Sequence, residues 1–165
     1  MSAGEYHSRY ALPCVQGEKR KRLEESIRKR AFLDESELRE ITPKAIQRIR
    51  DFAERIRQRD KYWTLEVVKR YWLKEHNRLI ETKAEGFGDE HHTDATRQFC
   101  RVSLAEVLGV RGEGMNYKVR INFCGKEREL ESIIQPAVGE RVTVHRGMVI
   151  EVLSSEDIAK YFPEK

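Results

Sequence analysis

Cys100 lies between Arg97 and Arg101, and neighbouring cations stabilise a thiolate, the nucleophilic and metal-binding form of cysteine. Cys14, in ALPC, has no comparable context, whereas Cys124 precedes a glycine and His145 ends the run RVTVH. Three widely spaced cysteines are an odd number, which predicts free thiols rather than a disulfide framework. Alternation puts Val119, Ile121 and Phe123 on one face of a strand, and Val142 and Val144 on one face of another. Cys124 and His145 fall off those apolar rows, so neither is expected to fill a core. Cysteine and histidine off the core rows are residue types that can form a functional thiol–imidazole pair. The run DEHHTD (89–94) carries more ligand types. Adjacent His91 and His92 on an extended chain point apart, however, and a metal site needs converging ligands, so this run is read as solvated linker.

Enzyme signatures are missing. GFG (86–88) and GEG (112–114) lack the third glycine and the strand-to-helix setting of a dinucleotide site, and no phosphate-loop Gly-Lys-Ser/Thr follows a glycine-rich run. There is no His-Glu-x-x-His and no Gly-x-Ser-x-Gly. The expectation is a protein with no nucleotide cofactor and no catalytic residues, acting by binding.

These groups must be positioned by a chain of 165 residues, 39% hydrophobic and 36% charged, with a mean hydropathy of -0.73. That length supports one domain or two small ones with a buried core. No apolar run approaches the roughly 18 residues of a membrane span, and the first residues lack a secretory pattern, so a cytoplasmic protein is expected. Residues 1–90 carry 21 Lys and Arg against 17 Asp and Glu, while residues 91–165 carry 11 of each. The whole net charge of +4 therefore belongs to the first half.

Helical spacing runs through that first half. Leu23 and Ile27 mark a narrow stripe within 17–32. Thr42 before Pro43 gives a start signal for a second helix, with Ala45, Ile46, Ile49, Phe52, Ala53 and Ile56 on one face. A third is expected from Thr64 to about Ile80, with Leu65, Val68, Trp72 and Leu79 on one side. The basic stretch 44–61, with Trp63, Tyr71 and Trp72 near it, suggests nucleic acid, but its interleaved acids favour a salt-bridged solvated face. From about Val102 the pattern becomes alternating and glycine-rich. Strands are expected over 102–110, 118–123 and 127–134 with one or two more over 141–153, then a short helix capped by Ser154 or Ser155. Five short strands are best closed into a small OB-like barrel, since closure removes exposed edges. The expected fold is α+β: a three-helix domain at 1–81, a linker at 82–99 and a five-strand OB-like barrel with a C-terminal helix at 100–165.

VRINFCGKEREL (119–130) and VGERVTVHRGMVIEVL (138–153) resemble the HypC (HypC/HybG/HupF) family of hydrogenase maturation chaperones. Val138, Gly139, Val142, Val144, His145, Gly147 and Ile150 are in step with its Val-His-x-Gly segment. SSEDIAKYF (154–162) is similar to its closing helix. The resemblance covers residues 100–162. It implies a non-enzymatic carrier that binds a HypD-type partner and helps deliver transient iron bearing cyanide and carbon monoxide, Fe(CN)2CO, to the large-subunit precursor of a nickel-iron hydrogenase. It implies Cys100 and His145 as the metal- and partner-binding residues, with Cys124, Arg101 and Gly147 in support. Family members begin Met-Cys, whereas Cys100 is internal and follows Phe99. The alternative from charge is a basic nucleic-acid-binding or protein-interaction adaptor built on the same barrel, with nucleic acid the weaker choice.

Overall fold

The computed structural model describes residues 1–89, 93–114 and 116–163. His91 and His92 lie outside the described residues. The chain forms two compact units that divide after Asp89, so the boundary falls inside the expected linker.

The first unit is helical. It contains α1 (Ala3–Ala11), α2 (Gly17–Lys29), α3 (Glu35–Ile41), α4 (Pro43–Arg55), α5 (Leu65–Arg70) and α6 (His76–Glu81). α5 and α6 are joined by a π turn, Tyr71–Glu75. The three expected helices are α2, α4 and the continuous α5–α6 rod; α1 and α3 are additional. Local chemistry fixes their starts. Ser2 accepts from the Glu5 amide ahead of α1, Asp34 and Glu37 form a reciprocal capping box on α3, and Thr64 accepts from the Val67 amide.

Thr42 departs from the expected cap. Its side chain makes no cap bond to α4. The hydroxyl donates to the Leu38 carbonyl at 2.9 Å and meets His7 Nε2 at 2.8 Å. Trp72 Nε1 donates to His7 Nδ1 at 3.3 Å. Because an indole N–H only donates, Nδ1 accepts and Nε2 carries the ring proton toward Thr42. This chain of bonds ties α1, α3 and the α5–α6 rod together and is complete only with a neutral imidazole. Burial alone holds the His7 pKa down at about 3.

The π turn lets the rod bury more than one face: Tyr71, Trp72, Leu73, Glu75 and His76 are all buried. Glu75 is held by Arg55 and by the Nε–Nη2 edge of Arg78, at 2.6–3.1 Å for the latter. Burial pushes its pKa up, but these two cations prevail and hold it below the ordinary carboxylate value. Residues 82–88 are turn rather than bare linker. Phe87 is buried there, edge-on to His76 and beneath the Arg48 guanidinium.

The second unit begins with α7 (Asp94–Cys100) and continues as β1 (Ser103–Arg111), β2 (Tyr117–Phe123), β3 (Lys126–Ser132), β4 (Arg141–His145) and β5 (Met148–Val152), ending in α8 (Ser155–Tyr161). The strands close in the order β1-β2-β3-β5-β4. β3 and β5 are parallel and the other neighbours antiparallel, an OB-like arrangement. Ala105, Val107, Val119, Ile121, Val142, Val144 and Val149 fill the interior. Ser154 caps α8 as expected, with Glu156 and Asp157 in its first turn. Cys124 does not continue β2: with Gly125 it makes a tight turn at φ of 51° and 74°.

Trp63 and Trp72 are the only tryptophans and both lie in the first unit, so their fluorescence follows that unit alone. Below pH 6.5 the unfolded chain binds a proton at His7 that the folded chain refuses until about pH 3. Stability is therefore complete above pH 6.5 and falls on acidification, by roughly 1.4 kcal/mol per pH unit from this group. Urea melts between pH 7 and 5 should show that slope, and His7→Gln should flatten it by one proton's worth. An unchanged slope in the variant would rule out a neutral-locked His7.

Candidate functional site at one end of the barrel

The strand directions decide which loops meet. β1, β3 and β5 run one way and β2 and β4 the other, so the start of β1, the β2–β3 turn and the β4–β5 turn share one end. α7 delivers the chain there, ending at Cys100. Two tight turns form this end, Cys124-Gly125 and Arg146-Gly147, and both residues of each have positive φ.

Arg146 makes the defining contacts. Its backbone N–H donates to the Phe99 carbonyl at 3.1 Å. Its Nη1 donates to Cys100 Sγ at 3.0 Å. Its guanidinium lies 5.6 Å from the Phe99 ring centroid. Cys100 is 3% exposed, whereas Phe99 beside it is 53% exposed. Gly147 is required twice: its φ is +76°, and a Cβ there would lie 3.2 Å from Phe99 Cε2. The ring therefore rests on the glycine, with the arginine over it.

The sequence-predicted residues fall as follows. Cys100 and Gly147 are in the site, Gly147 against Phe99. His145 is the last residue of β4, one position before Arg146, and is 0% exposed. It is off the core row as expected, yet the outer side of this hairpin is also buried: Thr143 and Glu151, which pair across β4 and β5, are buried with it. Arg101 follows α7 as its C-cap, its backbone N–H donating to the Gln98 carbonyl. Cys124 is exposed at the neighbouring turn, and Cys14 is exposed in the first unit. A cation distant in sequence also reaches the sulfur. Arg97 pairs with Asp94 one turn earlier in α7, while Arg146 arrives from 46 residues away. The local signal for it is the Arg-Gly pair straight after RVTVH, a tight-turn dipeptide that puts the arginine at a hairpin tip. Among the described residues no three His, Cys, Asp or Glu side chains are grouped to hold a metal ion.

The outer face of β2–β3, the surface on which OB-folds bind oligonucleotides, carries paired charges, while Lys126 and Arg128 of β3 are exposed and form no ion pair among the described residues. Lys118 meets Glu131 at 3.1 Å, Arg111 meets Glu129 at 2.6 Å and Arg120 faces Glu127 at 3.9 Å. The Arg111 hydrogen bond holds Glu129 below its ordinary pKa. In the first unit, a cleft of about 440 Å³ is lined by Arg50, Arg59, Asp51, Glu54 and Asp60 among others, a mixture of signs rather than a phosphate track.

No protein-family model, curated protein or solved structure matches this chain. No described helix is long and apolar enough to cross a membrane.

Gly147→Ala should lower barrel stability by about 1–2 kcal/mol through the left-handed backbone together with the clash on Phe99. Gly125→Ala has the same backbone constraint but open space around its Cβ, so it should cost less. Amide exchange of β4 and β5 measures both. Phe99→Ala added to Gly147→Ala should recover the difference, and no recovery would mean that the ring does not constrain the turn.

Proposed function

We propose that this chain is a non-enzymatic carrier of the HypC type, in which the Cys100 sulfur takes up an iron group as cargo and passes it between protein partners. The cargo is iron bearing cyanide and carbon monoxide, taken from a HypD-type partner and delivered to a hydrogenase large-subunit precursor in the cytoplasm. The observation that carries the reading is the Arg146–Cys100 contact. It fixes a single sulfur at the rim of an OB-like barrel, beside an exposed aromatic ring on which a partner can pack.

The chemistry fits in two respects. A soft thiolate suits iron that carries its own strong-field ligands, because one bond is enough to tether a centre already largely coordinated. Cargo must leave again, and one protein–iron bond is easier to exchange than a closed set of four. His145 ends β4 one position before Arg146 and is buried. Cys100 is internal to the chain, so its sulfur acts without an adjacent free amine. Arg101 and Gly147 shape the two segments that meet at the sulfur. Cys124 is the exposed turn residue at the same end, and the helical unit supplies an added docking surface.

The adaptor alternative predicts a different outcome. Pairing of Lys118 and Arg120 with carboxylates weakens its nucleic-acid form, since counterion release needs unneutralised cations. A pure protein adaptor needs no sulfur.

The full chain, co-purified anaerobically with a HypD-type partner, should carry iron and show infrared bands of bound cyanide and carbonyl. Cys100→Ser should lose both by tenfold or more, while Cys14→Ser/Cys124→Ser keeps them. Absence of iron and bands in the wild-type complex, or their survival in Cys100→Ser, would reject carriage by this sulfur. Partner affinity indifferent to Cys100→Ala, without iron, would favour the adaptor.

A further inference from the structure

Arg146 has a donor without an acceptor. Its Nη1 is on the Cys100 sulfur, but its Nε is buried and has no hydrogen-bond partner. No carboxylate of the described residues lies within ion-pair distance of this guanidinium, which is partly buried, unlike the exposed and likewise unpaired Arg128 and Arg141. The closed position thus gains an N–H···S bond and leaves a second N–H unsatisfied, a cost that disappears when the arm swings out and Nε is solvated. The backbone is not involved in that swing. Arg146 is anchored by its own N–H to Phe99 O, and the turn geometry is set by Gly147.

We infer that Arg146 is a movable cap over Cys100, and that a partner's carboxylate opens it by binding the Nε–Nη2 edge of the guanidinium. Three features support this. Cys100 is 3% exposed, so an incoming metal or electrophile reaches its sulfur only after a covering side chain moves. The Nε–Nη2 edge is the one that binds a carboxylate with two parallel bonds, and it is the edge that the sulfur leaves unused. Phe99, more than half exposed beside the cap, gives the same partner an apolar anchor. The inference rests on the reading of Cys100 as the working group of the site. It adds that the recognised partner surface is an apolar side chain next to Asp or Glu.

The test is the alkylation rate of Cys100, which does not depend on iron. In the full chain carrying Cys14→Ser and Cys124→Ser, iodoacetamide should react slowly. Adding Arg146→Ala should raise the rate about tenfold. The blocked dipeptide N-acetyl-Leu-Glu-amide should accelerate the Arg146 protein at constant ionic strength and leave the Arg146→Ala protein unaffected. Arg146→Lys, which keeps the charge but not the fork, should lose most of the dipeptide effect. A slower rate in Arg146→Ala would mean that the guanidinium activates the sulfur rather than covering it, and would overturn the proposal. Should Arg146→Ala unfold, the dipeptide arm on the Arg146 protein still decides, because a rate indifferent to the dipeptide overturns carboxylate opening. Equal acceleration by inorganic phosphate overturns the carboxylate assignment. Gating without iron binding would leave the cap standing and reject the carrier; iron binding without gating would do the reverse.

Discussion

The second unit is organised around one contact, the Arg146 guanidinium on the Cys100 sulfur. Everything near it is arranged so that two segments 46 residues apart reach the same point. A two-residue turn with both residues at positive φ is needed to bring Arg146 back over α7. Gly147 is needed to admit the Phe99 ring, and the antiparallel β1–β4 pairing brings the end of β4 beside the start of β1. Closure of the barrel is what makes that pairing possible, since β4 reaches β1 only by completing the circle from β3 through β5.

The first unit is governed by a different constraint, a polar chain inside an aromatic core. Trp72, His7, Thr42 and the Leu38 carbonyl form a sequence in which every donor has an acceptor. Such a network specifies one arrangement of helices, because shifting any member leaves a buried polar atom unpaired. Around it, Tyr10 stacks on Trp72 and on Tyr6. The unit therefore combines a very polar surface with an interior that tolerates little rearrangement.

The barrel was largely legible from residues alone because a two-residue period names both a strand and its inward face. Val119, Ile121, Val142 and Val144 are where that period puts them. The helices with an apolar stripe were legible for the same reason. α1 was not, because its buried side is made of Tyr6, His7, Ser8 and Tyr10, residues that read as a polar run until their partners are known. Thr42 shows how local rules fail: Thr-Pro is a sound start signal and α4 does begin at Pro43, but the hydroxyl is claimed by a histidine 35 residues away. His145 was placed correctly off the core row, yet periodicity only names a side and says nothing of whether that side is covered. Arg97 and Arg101 were the cations nearest Cys100 in sequence, and Arg146, which also reaches the sulfur, became visible only once the hairpin tip and the end of α7 were known to meet.

Charge pairing bears on where recognition can occur. On β2–β3, Lys118 and Arg120 face carboxylates across the strand pair, so their part of the surface presents little net field, and a charged partner gains little by approaching it. Arg146 has no carboxylate of the described residues in ion-pair contact and, unlike the exposed Arg128 and Arg141, is partly buried. A cation left unneutralised next to an exposed aromatic ring at the barrel rim is a local asymmetry of both charge and hydrophobicity. Specific recognition needs both, since the ring supplies buried area and the guanidinium supplies direction. For a carrier, the same geometry joins binding to release: the side chain that would read the partner is the one covering the sulfur, so docking and exposure of the cargo site would be a single movement of one arginine.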